Sequence, residues 1–153
     1  MCGIAGLSGV LDRPIAEVMG DVIAHRGPDC RGSWNDSRDR IHLFHQRLSI
    51  IDLSTAANQP MVTSDGRYTI VYNGEIYNFL DLRKVLSAKG RKFKTNSNTE
   101  VVLQAFQEWG HSCLEKLNGI FAFALWDSHN KTLLLARDPQ GVKPLYIAQN
   151  NGK

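Results

Sequence analysis

The sequence predicts an α+β domain built as a four-layer αββα sandwich of antiparallel sheets. Amphipathic helical segments alternate with short strands along the chain. Residues 120–126 and 133–136 are apolar on both alternating faces, so both faces of these strands should be buried. The short turn between them, residues 127–130, predicts an antiparallel hairpin. Strands covered on both sides require two sheets that pack on each other and carry helices outside.

The helices are predicted from apolar spacing and from end signals. Ile15, Val18, Val22 and Ile23 have helical spacing within residues 14–25. Asn78 has a residue type suited to an N-cap, and this helix should end at Gly90. Residues 97–100 have the form of a capping box, which predicts a helix that ends at Gly110. A short helix should follow across residues 113–117.

The strands are predicted from alternating or continuous apolar runs bounded by turn residues. They are residues 3–7, 41–48, 68–72, 119–126 and 132–137.

Composition indicates one globular domain, residues 1–153, and excludes several function classes. The chain has 42% hydrophobic and 22% charged residues, and its net charge of +3 is not gathered into a basic run, so we expect no nucleic-acid or membrane partner. We expect a cytoplasmic protein. The three cysteines lack C-x-x-C spacing, which argues against a disulfide framework or a structural zinc site. His42 and His45 should face opposite sides of one strand, so we predict no metal ligands.

Cys2 is the first residue that points to chemistry. Removal of Met1 would leave a free α-amine beside the thiol of the same residue. This amine has a reference pKa near roughly 7.7–8 and could accept the thiol proton near neutral pH. Such an arrangement is typical of N-terminal nucleophiles, which need no separate histidine base. The alternative is that Cys2 is an inert packing residue, as lone cysteines usually are.

Six segments in order carry a family resemblance that decides between these alternatives. They are MCGIAG at 1–6, HRGPD at 25–29, RLSIIDL at 47–53, YNGEIYN at 72–78, LNGIFAFA at 117–124 and RDPQGVKPLY at 137–146. The first three resemble class II glutamine amidotransferases, and the last three resemble the asparagine synthetase branch. The implied fold is that of N-terminal nucleophile hydrolases, and the implied activity is glutaminase chemistry.

The resemblance implies catalytic roles for three residues. Cys2 is expected to attack the side-chain amide of L-glutamine, giving a thioester and ammonia and then glutamate. Asn73 and Gly74 match the family's oxyanion donors, an amide side chain and a backbone N–H. An Asn-Gly pair is otherwise typical of a hairpin turn, and both interpretations could hold if Asn73 ends a buried strand.

The resemblance also implies the substrate-binding residues. Arg47 matches the arginine that holds the α-carboxylate of glutamine, a bidentate and charge-assisted pairing; the alternative is a strand-end arginine that reaches water. The family also uses the segment after this arginine and the glutamate after the Asn-Gly pair. These residues are Leu48, Ser49, Ile50, Ile51 and Glu75. The loop at residues 25–29 is expected only to shape the site.

Asn98 departs from the family, which usually has an aspartate there to pair with the α-ammonium of glutamine. A helix N-terminus carries partial positive charge, so the missing carboxylate should weaken glutamine binding by roughly 5- to 50-fold unless Glu75 compensates. The alternative is that Asn98 is simply a first-turn helix residue. Cys30, where the family more often has a polar residue, is interpreted as structural.

The chain ends at Lys153, where the family's domain continues, so we interpret it as a truncated type-2 amidotransferase domain without its synthetase domain. The expected partner is a synthetase domain or chain that accepts ammonia. No cofactor is expected in this domain, because ATP and magnesium serve the synthetase reaction. The alternative function is a non-catalytic module that keeps the fold and interacts with a synthetase partner.

Overall fold

The structure, a computed structural model, describes residues 2–9 and 13–149 and contains two antiparallel sheets. The first sheet has the order β1–β3–β2 and the second has the order β4–β5–β6–β7. The strands are β1 (Gly3–Ser8), β2 (Cys30–Asp36), β3 (Ile41–Arg47), β4 (Met61–Val62), β5 (Tyr68–Ile76), β6 (Gly119–Asp127) and β7 (Thr132–Arg137). The α-helices are α1 (Arg13–Val22), α2 (Phe79–Ala88) and α3 (Asn98–Trp109), and 3₁₀ helices span Ala24–Arg26, Thr55–Ala57 and Gly110–Lys116.

The layers follow the predicted αββα order. Helix α1 contacts β1 and β3, these two strands contact β5 of the second sheet, and α3 packs on the other face of β5 beside α2. One apolar cluster fills the space between the second sheet and the helices, and a smaller one lies between the sheets around Leu43, Val71 and Trp126. This arrangement confirms the predicted fold class. Among the described residues, no helix has the length and apolar character that a membrane crossing needs.

Two strands were not predicted, and one is longer than predicted. Strand β2 has a single large apolar residue, Trp34, and therefore shows no alternation, while β4 has only two residues. Strand β5 continues for four residues beyond Tyr72, to Ile76, and pairs with β6 along its whole length. The prediction that Asn73 ends a strand is therefore wrong.

Helix α1 differs from its prediction in extent and in packing. It ends at Val22, and its apolar side chains Ile15, Val18 and Val22 are 49%, 59% and 67% exposed. The helix instead approaches the first sheet at Gly20, which is buried and whose carbonyl accepts a hydrogen bond from Gln46 Nε2 at 2.9 Å. A small residue allows this close approach, so the buried side of α1 is not its apolar stripe.

The predicted ends of α2 and α3 are correct in position, but two cap interactions differ. Asn78 precedes α2, yet its side chain bonds Lys116 O at 2.9 Å and Asn118 N–H at 3.1 Å, which ties α2 to the start of β6. Ser97 caps α3 by accepting the Glu100 N–H at 3.3 Å. Glu100 does not return to Ser97; it accepts the N–H groups of residues 94 and 95.

Candidate active site

All ten residues predicted for catalysis and substrate binding line one cavity of about 160 Å³. A water molecule needs about 10–15 Å³ by the same measure, so the cavity is large enough for a small organic molecule. The ten residues come from the chain start, the β3 end and its loop, β5, and the first turn of α3. They are Cys2, Arg47, Leu48, Ser49, Ile50, Ile51, Asn73, Gly74, Glu75 and Asn98.

Cys2 lies just before β1 and contacts the backbone of Leu48. The Leu48 N–H donates to Cys2 Sγ at 3.4 Å, and Sγ lies 3.6 Å from Leu48 O. An N–H aimed at the sulfur stabilises negative charge on it. The cavity-lining residues within the described part include no histidine. The described lining therefore offers no imidazole base for the thiol, and the predicted α-amine depends on Met1, which lies outside the described residues.

Asn73, Gly74 and Glu75 are consecutive residues of β5, and the backbone of Gly74 faces away from β6. The Tyr72 N–H donates to Gln59 Oε1 rather than to β6, whereas the Tyr77 N–H donates to Asn118 O on the β6 side. Backbone groups alternate along a strand, so Gly74 has the same orientation as Tyr72. On that side β4 pairs only with Ile70 and Thr69. The Gly74 N–H is thus directed past the end of β4.

Gly74 is required for close packing and not for a turn. A Cβ at this position would lie 2.3 Å from Ile120 O and 2.6 Å from Phe121 Cα. The hairpin-turn interpretation of Asn73–Gly74 is therefore wrong, because both residues pair with β6 inside a nine-residue strand. A substitution of Gly74 would separate β5 from β6 at the cavity.

Arg47 is the last residue of β3 and is only 7% exposed. Its guanidinium donates to Asn58 Oδ1 at 2.5 Å, to Ser54 O at 2.8 Å and to Asp52 O. These bonds use three of five N–H groups, which leaves two for a ligand. Arg47 therefore does not reach bulk water as a strand-end charge would; it holds the loop that forms one wall of the cavity.

Two further contacts brace this wall. The Asp52 carboxylate accepts the Ser54 N–H at 2.8 Å and the Asn96 N–H at 2.7 Å, which joins the loop to the residue before the Ser97 cap. Hydrogen bonds from Ser54 and from the Asn96 backbone lower the pKa of Asp52. Asp29 accepts the Ser49 N–H at 2.7 Å. The loop at residues 25–29 thus contacts the cavity wall without lining the cavity.

Asn98 is the first residue of α3, as predicted, and it contacts Glu75. Its Nδ2 donates to Glu75 Oε1 at 3.1 Å, and both side chains line the cavity. The amide N–H₂ points at Glu75, so Asn98 offers only its neutral oxygen to a cation. Glu75 supplies the negative charge of this pair.

The Asn98→Asp variant tests this pair. It would place two carboxylates about 3 Å apart. The family resemblance implies that the α-ammonium of glutamine binds here, and on that expectation kcat/KM for glutamine should rise by about 5- to 50-fold because a second carboxylate attracts the ammonium. Like charges repel, so the thermal midpoint without glutamine should fall and should recover when glutamine is added. Steady-state kinetics and thermal melts measure both effects; an unchanged kcat/KM would contradict the role given to this position.

His45 lies on the Arg47 face of β3 and is nearly fully buried. Burial lowers its pKa to about 4, a hydrogen bond with Tyr72 O partly opposes this effect, and Arg47 adds to it. His45 is therefore neutral at neutral pH. The folded pKa is below the unfolded value, so the stabilisation is complete above about pH 6.5 and is lost as pH falls from about 6.5 to 4.

We expect the free energy of unfolding to fall by about 2 kcal/mol between pH 7.5 and pH 5. Urea titrations at the two pH values measure this difference. His45→Gln should remove most of it, whereas the exposed His129→Gln should keep it. Asp127, whose pKa is lowered to about 2, titrates below this window. An equal fall in His45→Gln would assign the effect to another group.

Eight cavity residues were not predicted as site residues. They are Asp52, Ala57, Gln59, Tyr72, Ser97, Thr99, Ile120 and Lys143. Lys143 lies in the segment 137–146, but nothing in the sequence indicated that this lysine is buried, and it is only 4% exposed.

The other two cysteines lie outside the cavity lining, and burial raises the pKa of Cys113 to about 11, which makes it unreactive. No group of three potential metal ligands occurs among the described residues.

Comparisons of this sequence with a family model and with known proteins agree with the resemblance described above. A family model described as "Glutamine amidotransferase domain" matches residues 1–153. The chain is 41% identical over 156 residues to asparagine synthetase 3 (glutamine-hydrolyzing) of Bacillus subtilis, covering 97% of this chain and 25% of that protein. It is 43% identical over 133 residues to amidase chry2 of Gibberella zeae, covering 87% and 20%.

Among solved structures, the chain is similar to glutamine phosphoribosylpyrophosphate amidotransferase from B. subtilis, complexed with ADP and GMP. The TM-score is 0.72 at 20% identity, over 90% of this chain and 37% of that chain. At this identity the similarity concerns the fold. The chain spans about a quarter of the length of the curated relatives it matches.

Proposed function

Because this chain belongs to the glutamine amidotransferase domain family, we propose that it hydrolyses L-glutamine at Cys2 and delivers the ammonia to a synthetase domain or chain. The observation that carries the proposal is the convergence of all ten predicted residues on one cavity. Cys2, the Asn73 amide, the Arg47 guanidinium and the Glu75 carboxylate line this cavity, which supports a substrate with an amide end and a zwitterionic end.

In the proposed mechanism, the α-amine left by Met1 removal takes the thiol proton of Cys2. The thiolate attacks Cδ of glutamine, and the oxyanion that forms accepts hydrogen bonds from the Asn73 side chain and the Gly74 N–H. The α-ammonium returns the proton to the leaving nitrogen as the C–N bond breaks, which releases ammonia and leaves a thioester. Water, deprotonated by the same amine, attacks the thioester and releases glutamate.

The two ends of glutamine are held by opposite charges. Arg47 keeps two N–H groups for the α-carboxylate, and Glu75 with Asn98 receives the α-ammonium. This arrangement supports glutamine over a neutral amide. The ammonia acceptor is proposed to be aspartate, because the relatives with 39–41% identity in B. subtilis are named asparagine synthetases. We expect ATP and magnesium only in the synthetase reaction.

The unpaired cysteines Cys2, Cys30 and Cys113 support a reducing compartment, and we propose the cytoplasm.

The proposed activity is tested with the purified full protein by measuring glutamate and ammonia at saturating glutamine. Equimolar release of both products is expected. Glutamine binding without release would instead support a non-catalytic module, which the neutral Asn98 motivates. Asparagine formation from aspartate with ATP and magnesium tests the acceptor.

A further inference from the structure

Gln59 is a buried side chain that connects two walls of the cavity. It is 7% exposed, and its Oε1 accepts the Tyr72 N–H at 2.6 Å while its Nε2 donates to Thr99 Oγ1 at 3.1 Å. Tyr72 lies two residues before Gly74 in β5, and Thr99 follows Asn98 in α3. One amide group thus links the strand that carries the oxyanion donors to the helix that carries the ammonium subsite.

The position of Gln59 explains why its side chain makes these bonds. Met61 pairs with Ile70 in the antiparallel β4–β5 register, so Gln59 would be the residue opposite Tyr72 if β4 continued. The strand begins only at Met61, and the Gln59 side chain supplies the acceptor that a strand backbone would have supplied. The β5 edge is therefore satisfied at Tyr72 and is left for a ligand at Gly74.

We propose that Gln59 is a positioning residue that fixes the distance between the oxyanion donors of β5 and the ammonium subsite at Asn98 and Glu75. The inference rests on the proposed glutaminase function. Through Tyr72 the Gln59 carbonyl sets the path of β5 at Gly74, and through Thr99 its amide N–H₂ sets the first turn of α3. Both bonds are buried, so losing one partner costs more than losing a hydrogen bond at the surface.

The two halves of this link predict different kinetic effects. Thr99→Val removes only the helix bond and should raise KM for glutamine by about 3- to 10-fold with kcat within twofold. Gln59→Met has a similar shape but removes both bonds, and we expect kcat to fall by about 10- to 100-fold while KM also rises, because small displacements of oxyanion donors are costly. Thr99→Ser keeps the hydroxyl and should restore the KM of the wild type.

The experiment measures kcat and KM for glutamine hydrolysis in the full protein at a temperature where every variant is folded. Ile41→Val is the control for general destabilisation, because Ile41 is buried at the far end of β3 from Arg47 and does not line the cavity. It should leave both constants within twofold. Circular dichroism and urea titration verify that each variant is folded.

The expected result is the split between Thr99→Val and Gln59→Met, with rescue by Thr99→Ser. The inference is overturned if folded Gln59→Met keeps both constants within twofold, or if Thr99→Ser is as impaired as Thr99→Val. It is also overturned if Ile41→Val loses as much activity as Gln59→Met at an equal loss of stability. A wild-type protein that releases no glutamate overturns the proposed function, and this inference with it; an active wild type with normal variants overturns this inference alone.

Discussion

Cys2→Ala is expected to lower kcat for glutamine hydrolysis by about 10⁴-fold or more, because no other group in the cavity can form the thioester. The cavity lining contains no other cysteine, and the serines there are not placed beside an α-amine. Glutamate release at saturating glutamine measures the loss. A glutamine-like electrophile should label the wild type at one cysteine per chain and should not label the variant.

Cys30→Ala is the matched control for this experiment. Cys30 lies opposite Arg47 in the β2–β3 register but does not line the cavity. Its kcat should stay within twofold of the wild type, and labelling should still occur at Cys2. Intact mass must show that Met1 is absent in each sample, since a peptide bond on the Cys2 nitrogen removes the base. Residual turnover in processed Cys2→Ala would show that a different nucleophile acts.

Asn73→Ala should lower kcat by about 10²–10³-fold, the usual cost of removing one preorganised oxyanion donor. KM should change by less than about threefold, because Asn73 is not one of the groups that hold the zwitterionic end. Its side chain lies on the same face of β5 as that of Val71, toward the first sheet, which is the side on which Cys2 lies. Single-turnover measurement of ammonia release isolates the acylation step.

Asn73→Asp provides the isosteric comparison. It keeps the shape of the side chain, removes both N–H donors and adds a negative charge beside the oxyanion, so kcat should fall at least as far as in Asn73→Ala. If Asn73→Asp instead keeps near-normal kcat while KM rises, Asn73 binds the ground state of the substrate. The oxyanion role would then rest on Gly74 alone.

The ten candidate residues could be chosen from the sequence because each lies in a short local segment of recognisable chemistry. The segments 47–53 and 72–78 contain eight of the ten residues, and Cys2 and Asn98 lie outside these two segments. Their placement in one cavity agrees with the prediction. Their individual roles stay predictions that the variants above test.

The contacts that brace the site were not predictable, because they join residues far apart in the sequence. Gln59 meets Thr99 across 40 positions, and Asp52 meets Asn96 across 44. Nothing in the sequence Gln59–Pro60 indicates that the side-chain amide takes the place of a strand carbonyl. The length of β5 was also missed, because the polar run at residues 73–75 suggests a strand end unless the neighbouring sheet and helix are known to enclose it.

The brevity of β4 has a consequence for self-association as well as for chemistry. An edge strand with unpaired N–H and C=O groups can pair with a strand from another molecule. Here the strand edge at Gly74 lies inside the cavity. Pro60, which lacks an N–H, directly precedes β4, where the chain leaves the sheet. In the β4–β5 register, lengthening β4 backwards by four residues, to Ala57, would place a carbonyl against the Gly74 N–H and occupy the space proposed for the substrate. Under the proposed function, the Gly74 N–H that would otherwise be open to a foreign strand binds a molecule the size of one amino acid.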